Sequence, residues 1–170
     1  ILNVFHLCDE ERYSGFGTSL TCCLVYRKES DFRCTIASIG NTRLYLLRAN
    51  KDKTPQLHLL SHDQTKAAQM LADGIIDAEQ YYLHPDRLIL TGCLGMSVEP
   101  QIQIFEDMPL HSKDILLLTT DGIHYALRPE AIQDIILQSG GCESAIQGLI
   151  DAAKLERYPD NMSGVICYLP

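Results

Sequence analysis

Ile115-Leu116-Leu117-Leu118-Thr119-Thr120-Asp121-Gly122 is a strongly apolar run that stops abruptly at a carboxylate and a glycine. Four successive large aliphatic residues bounded by polar ones predict a short strand covered on both faces. Asp121 then falls where the backbone leaves the core. A carboxylate at a strand end is held rigidly yet reaches solvent, as a metal ligand must. Asp-Gly is equally a common turn pair, in which Asp121 would only shape the chain reversal.

Downstream, Pro129-Glu130 opens a helix whose inner face is Ile132, Ile135 and Ile136, and Gly140-Gly141 stops it. Ile146, Leu149, Ile150 and Ala153 mark a second helix, and Val165 to Leu169 is expected to be a buried final strand. Just before that strand stands Asp160, in Pro159-Asp160-Asn161-Met162-Ser163. It is a candidate ligand, and also an ordinary turn or cap residue, because Asp and Asn bond their own backbone readily.

Upstream, strands are predicted over Leu20 to Tyr26, Cys34 to Ile39, Arg43 to Arg48 and Gln56 to Leu60, joined by polar turns. Along the third, Leu44 and Leu46 face one way and Tyr45 and Leu47 the other. Ala67, Met70 and Leu71 share a helix face that ends at Gly74, and Asp77 with Gln80 forms a capping box for a short helix toward Leu83. His84-Pro85-Asp86-Arg87 breaks that helix, residues 91–100 form a loop, and Ile102 to Phe105 resumes the sheet. Sequential strands outnumber helices, so the class is α+β, with helices packed on antiparallel sheets. Residues 1–170 form a single domain in this reading. At the start, Ile1, Val4, Phe5 and Cys8 lie on one helix face with no capping residue before it, so the domain is expected to be incomplete at its N-terminus.

Composition narrows the function. Of 170 residues, 46% are hydrophobic and 21% charged, which suits a globular protein. Fourteen basic against 22 acidic residues give a net charge of -8, which repels a phosphate backbone and argues against nucleic acid. No apolar run approaches the roughly 20 residues that span a bilayer, so no membrane role is expected. Seven cysteines, an odd number without a CxxC, point to a reducing, cytoplasmic setting. Six histidines scattered without ligand spacing argue against zinc. A monomer or weak oligomer is expected.

Taken in order, Gly15-Phe16-Gly17-Thr18-Ser19, then Ile39-Gly40-Asn41-Thr42-Arg43, Asp63-Gln64-Thr65, Thr120-Asp121-Gly122 and Asp160-Asn161 resemble the metal-dependent 2C-type serine/threonine protein phosphatase family. That family shows Gly-x-Gly-Thr, Gly-Asp-Ser-Arg, Asp-His-Ser, Ser-Asp-Gly and Asp-Asn on corresponding elements. The likeness covers essentially the whole chain and corresponds to the C-terminal two-thirds of the domain. It implies an antiparallel β-sandwich flanked by helices, a four-layer αββα arrangement. It also implies two divalent ions, Mn²⁺ or Mg²⁺, with Asp121 and Asp160 as metal ligands. Two such ions about 4 Å apart lower the pKa of a bridging water and stabilise in-line attack on phosphorus. The implied activity is hydrolysis of phosphoserine and phosphothreonine in a phosphorylated protein substrate.

Three departures from the pattern matter. The family's Asp-Gly-x-Gly-Gly motif, with its bridging aspartate, lies upstream of the matched region. The turn aspartate that helps hold a third metal in bacterial members is Asn41, so that site is expected to be weak or empty. Thr120 replaces the serine of Ser-Asp-Gly, and Gln64 the histidine of Asp-His-Ser. Arg43 is expected to be structural rather than a phosphate clamp, His62, His84 and His124 to be hydrogen-bonding or surface residues, and residues 72–94 to match the family's flap. The alternative is a catalytically inactive phosphatase-like binding or regulatory module. A further reading is a relative acting on a small regulatory protein in sporulation or stress signalling.

Overall fold

The computed structural model describes residues 17–95, 101–156 and 158–170. The expected N-terminal helix face of Ile1, Val4, Phe5 and Cys8, together with Gly15, Phe16 and Pro100, lies outside them. In chain order the elements are β1 (Leu20–Lys28), β2 (Asp31–Ile39), β3 (Arg43–Ala49), β4 (Pro55–Leu59), α1 (Lys66–Ala72), α2 (Ala78–Leu83), a 3-10 turn at Pro85–Leu88, β5 (Gln103–Leu110), β6 (Ile115–Thr119), α3 (Asp121–His124), α4 (Pro129–Gln138), α5 (Cys142–Leu155) and β7 (Gly164–Tyr168). The strands form one sheet of order β1-β2-β5 and another of order β4-β3-β6-β7.

The chain divides into two compact units. One takes in residues up to Cys23, Ile36–Thr42 and His62–Phe105; the other takes in Leu24–Thr35, Arg43–Ser61 and Glu106–Pro170. Strands β1, β2 and β5 have residues in both.

The second unit contains the whole four-stranded sheet, and its pairings are antiparallel. Tyr45 and Leu47 of β3 and Leu117 of β6 join Ile123, Leu127, Ile132, Ile136, Leu149 and Ala153 in one buried cluster. This is the face on which α4 and α5 lay their apolar stripes. Leu44, Leu46 and Leu116 point the other way and are buried as well. β3 and β6 are thus covered on both sides, as their unbroken apolar character requires. Each such side chain stabilises the fold by about 1.5–3 kcal/mol. At the end of this sheet Asp114, 2% exposed, receives Arg48 Nε at 2.9 Å and Nη2 at 2.5 Å, and the backbone N–H of His111 at 2.7 Å. Its charge is therefore compensated, and the pairing raises the pKa of Arg48.

The final strand corrects the sequence reading. β7 is not buried: Val165 is 64% exposed, and Cys167 and Tyr168 are also exposed. β7 stands last in the sheet order, and only Ile166 of its residues packs against the core cluster. An apolar run of five residues looks the same in sequence whether one face or two are covered.

In the first unit Thr65 caps α1, accepting the Ala68 N–H at 3.1 Å. The capping box at α2 is present, with Asp77 accepting from Gln80 N–H at 2.8 Å and Gln80 Oε1 accepting from Asp77 N–H at 2.9 Å. β5 runs to Leu110, beyond the expected stop at Phe105. Asp107 lies in the left-handed region at φ 54°, held by Tyr26 Oη at 2.9 Å and Lys28 Nζ at 2.7 Å. These partners let the strand carry a polar residue and a kink where local pattern predicts an end.

Candidate metal centre

Antiparallel pairing of β6 with β7 sets Thr119 opposite Gly164. Asp121 lies two residues after the first and Asp160 four before the second, so both aspartate turns leave the same end of adjacent strands. Hydrogen bonds then fasten the turns together. Thr120 N–H donates to the Ser163 carbonyl at 3.0 Å, and Ser163 N–H donates to Thr120 Oγ1 at 3.0 Å. Gly122 completes the approach: a Cβ there would lie 2.2 Å from the Asn161 carbonyl oxygen. Only a residue without a side chain lets the backbones come this close.

Asp121 is the first residue of α3 and is half-buried. Its Oδ1 accepts the Gly122 N–H at 3.1 Å, and its carbonyl accepts Tyr125 N–H at 2.9 Å. Asp160 is exposed, and its Oδ1 accepts the Asn161 N–H at 2.7 Å. These are the turn bonds that either reading of the aspartates predicts. Beneath them His124, 0% exposed, shares a hydrogen bond with Thr119 Oγ1 at 2.8 Å and meets the Tyr125 ring edge-on at 4.8 Å. The Asp121 turn therefore rests on a polar bond inside the core.

The donor chemistry fits hard divalent ions, since both side chains offer carboxylate oxygens. It is a partial set. Among the described residues no group of three or more His, Cys, Asp or Glu side chains converges on a point.

The other singled-out residues have structural surroundings. Arg43 is 4% exposed, donates to Tyr45 Oη at 3.0 Å and stacks over Tyr125 at 5.5 Å. A guanidinium so enclosed has a structural setting inside the sheet. Asn41, 7% exposed, accepts the Ser19 hydroxyl at 2.9 Å, beside Gly40 at φ 91°. Gln64, in the family's histidine position, accepts Gly40 N–H at 2.9 Å and donates to the Gln101 carbonyl at 2.7 Å. Cys22 is exposed and Cys23 half-buried. Sequence reading missed the Thr120–Ser163 clamp and the buried Thr119–His124 bond; both join residues whose neighbourhood appears only when β6 pairs with β7 or α3 folds.

Two antiparallel sheets with helices match the fold of solved metal-dependent 2C-type phosphatases, and the chain is similar in sequence to curated serine/threonine phosphatases of that type. Over 133 residues it is 29% identical to protein phosphatase PhpP of Streptococcus pneumoniae, which covers 78% of the chain and 50% of PhpP. The crystal structure of serine/threonine phosphatase Stp1 from Staphylococcus aureus is 25% identical with a TM-score of 0.85, over 99% of this chain and 62% of that one. The catalytic domain of serine/threonine protein phosphatase PstP, solved in complex with two manganese ions, is 26% identical with a TM-score of 0.76, over 99% of this chain and 66% of that one. The chain spans about half the length of curated relatives such as PhpP, and about two thirds of the solved structures. No family model matches the chain. No described helix is long and apolar enough to cross a membrane.

Proposed function

We propose that residues 1–170 are part of one metal-dependent phosphatase domain that hydrolyses phosphoserine and phosphothreonine in protein substrates, with Asp121 and Asp160 as metal ligands. The observation that carries the reading is the β6–β7 register, which brings both aspartate turns to one end of the sheet and locks them through Thr120 and Ser163. Bound Mn²⁺ or Mg²⁺ would supply an activated water and charge neutralisation for the phosphoryl group. The chain's own contribution is positional. The Thr119–His124 bond supports the Asp121 turn from below, and Gly122 keeps Asp160's loop within reach. A cytoplasmic signalling role belongs to this reading, in keeping with an odd number of cysteines and no CxxC in the sequence.

Asp121→Asn and Asp160→Asn in the full-length protein test the assignment. Each is expected to abolish Mn²⁺-dependent hydrolysis of an aryl phosphate while preserving the far-UV circular dichroism spectrum. Near-normal turnover at saturating Mn²⁺ removes that residue from the site. Residues 1–170 supplied alone are expected to show little or no activity, since two carboxylates are too few for a binuclear centre. A second reading, a catalytically silent binding module, is favoured by Asn41, which lacks the charge of the family's turn aspartate. Metal-dependent turnover by the full-length protein excludes it.

A further inference from the structure

Beside Asp160 the second unit opens a cleft of about 700 Å³, within the size range of sites that take small organic groups. One wall is the last part of α5, where Ile150 and Lys154 stand four residues apart on one face. The other wall is the loop carrying Tyr158, Asp160, Asn161 and Met162. Ile150 and Met162 pack against the buried core cluster, so they give a cleft of mixed polar and apolar lining an apolar patch held by the interior. Tyr158 is fixed edge-on to Tyr125 at 6.4 Å, the same ring that carries Arg43.

Charge distinguishes its contents. Lys154 is exposed and forms no ion pair among the described residues. It brings a cation to the rim of a cleft in a chain of net charge -8. In the reading above Asp160 is engaged with metal, and Lys154 offers a positive charge to a substrate. An acidic surface repels a phosphorylated segment, and a lysine beside the site relieves that repulsion locally.

We infer that this cleft is a specificity subsite for the protein substrate, receiving the residues next to the phosphorylated serine or threonine. It favours an acidic side chain, which meets Lys154, next to an apolar one, which packs over Ile150, Tyr158 and Met162. The inference rests on the phosphatase reading and names the substrate class for that site.

The test uses the full-length protein, Mn²⁺ and phosphothreonine peptides that differ only in whether the flanking residues are Glu, Ala or Lys. For each variant, kcat/KM on a peptide is divided by the same variant's kcat/KM on an aryl phosphate, so that a general loss of activity cancels. The wild type is expected to prefer Glu-flanked over Lys-flanked peptide by roughly fivefold, the scale of an exposed ion pair, and less at high salt. Lys154→Glu is expected to invert the preference and Lys154→Met to erase it. A wild-type preference absent at low salt, or unchanged in both variants, overturns the subsite. If the wild type hydrolyses none of these substrates, the phosphatase reading fails, and fluorescence anisotropy with the Glu-flanked peptide judges the cleft separately. Weaker binding by Lys154→Glu than by wild type supports the cleft; equal binding overturns it.

Discussion

Thr120 and Ser163 exchange hydrogen bonds, Thr120 N–H to the Ser163 carbonyl and Ser163 N–H to Thr120 Oγ1, each at 3.0 Å. The backbone half of this exchange extends the β6–β7 ladder by one step. The side-chain half is particular to a hydroxyl at position 120, which threonine and serine both supply. Thr120→Val keeps the shape and deletes the acceptor, leaving Ser163 N–H without its partner. It is expected to destabilise the protein by about 1–2 kcal/mol and to weaken Mn²⁺ binding in the full-length protein. Thr120→Ser is expected to restore both. Calorimetric titration with Mn²⁺, run beside thermal denaturation, separates the two effects. Equal metal affinity in all three forms removes the clamp from the metal centre.

Gly122→Ala is expected to be among the more damaging single-methyl additions in the chain. The new Cβ would lie 2.2 Å from the Asn161 carbonyl oxygen and 3.0 Å from its carbon, so backbone must move. Overpacking of this kind costs about 1–3 kcal/mol. Gly140→Ala is the control, because nothing lies within 4 Å of its added methyl. Urea midpoints should fall for the first variant and stay level or rise for the second. A level midpoint for Gly122→Ala would show that the Asp160 loop yields freely.

Asn41→Asp tests the third metal position. Ser19 Oγ donates to Asn41 Oδ1, and a carboxylate would keep that bond while adding charge and a second oxygen. An additional or tighter Mn²⁺ site is expected in the full-length protein. Identical stoichiometry and affinity in the two forms, measured by calorimetry, counts against it.

Asp107 predicts an acid limb of stability. The hydrogen bond from Lys28, then that from Tyr26, holds its carboxyl below the ordinary carboxylate value of about 3.9. A depressed folded pKa contributes stability that is fully present above the unfolded value and is lost as pH falls through the folded one. The stability difference between wild type and Asp107→Asn should therefore be constant above about pH 5 and shrink as pH falls below the ordinary carboxylate value and through the lowered folded one. Urea unfolding across that range measures it, and a difference that grows toward acid would reverse the sign.

Much of the secondary structure was legible because its signals are local. The capping box at Asp77 and Gln80 lies within one helical turn, and the inner faces of α4 and α5 repeat at helical spacing. The misses lie where a neighbour outside the local window decides. β5 continues past Phe105 because Tyr26 and Lys28, far away in sequence, hold Asp107. β7 is half-exposed because of its place in the sheet order, which its own five residues do not encode.

The same division applies to the site. Sequence by itself determined the α+β class, the two aspartates at strand ends and the ordered motifs that carry the family likeness. Periodicity, turn chemistry and motif order are all written along the chain. Tertiary structure alone decided that Asp121 and Asp160 leave the same end of paired strands, that Arg43 is enclosed by Tyr45 and Tyr125, and that a cleft with Lys154 on its rim opens beside Asp160. Residues some forty positions apart become neighbours only through the antiparallel register of β6 and β7, and register is set by which faces the whole core buries.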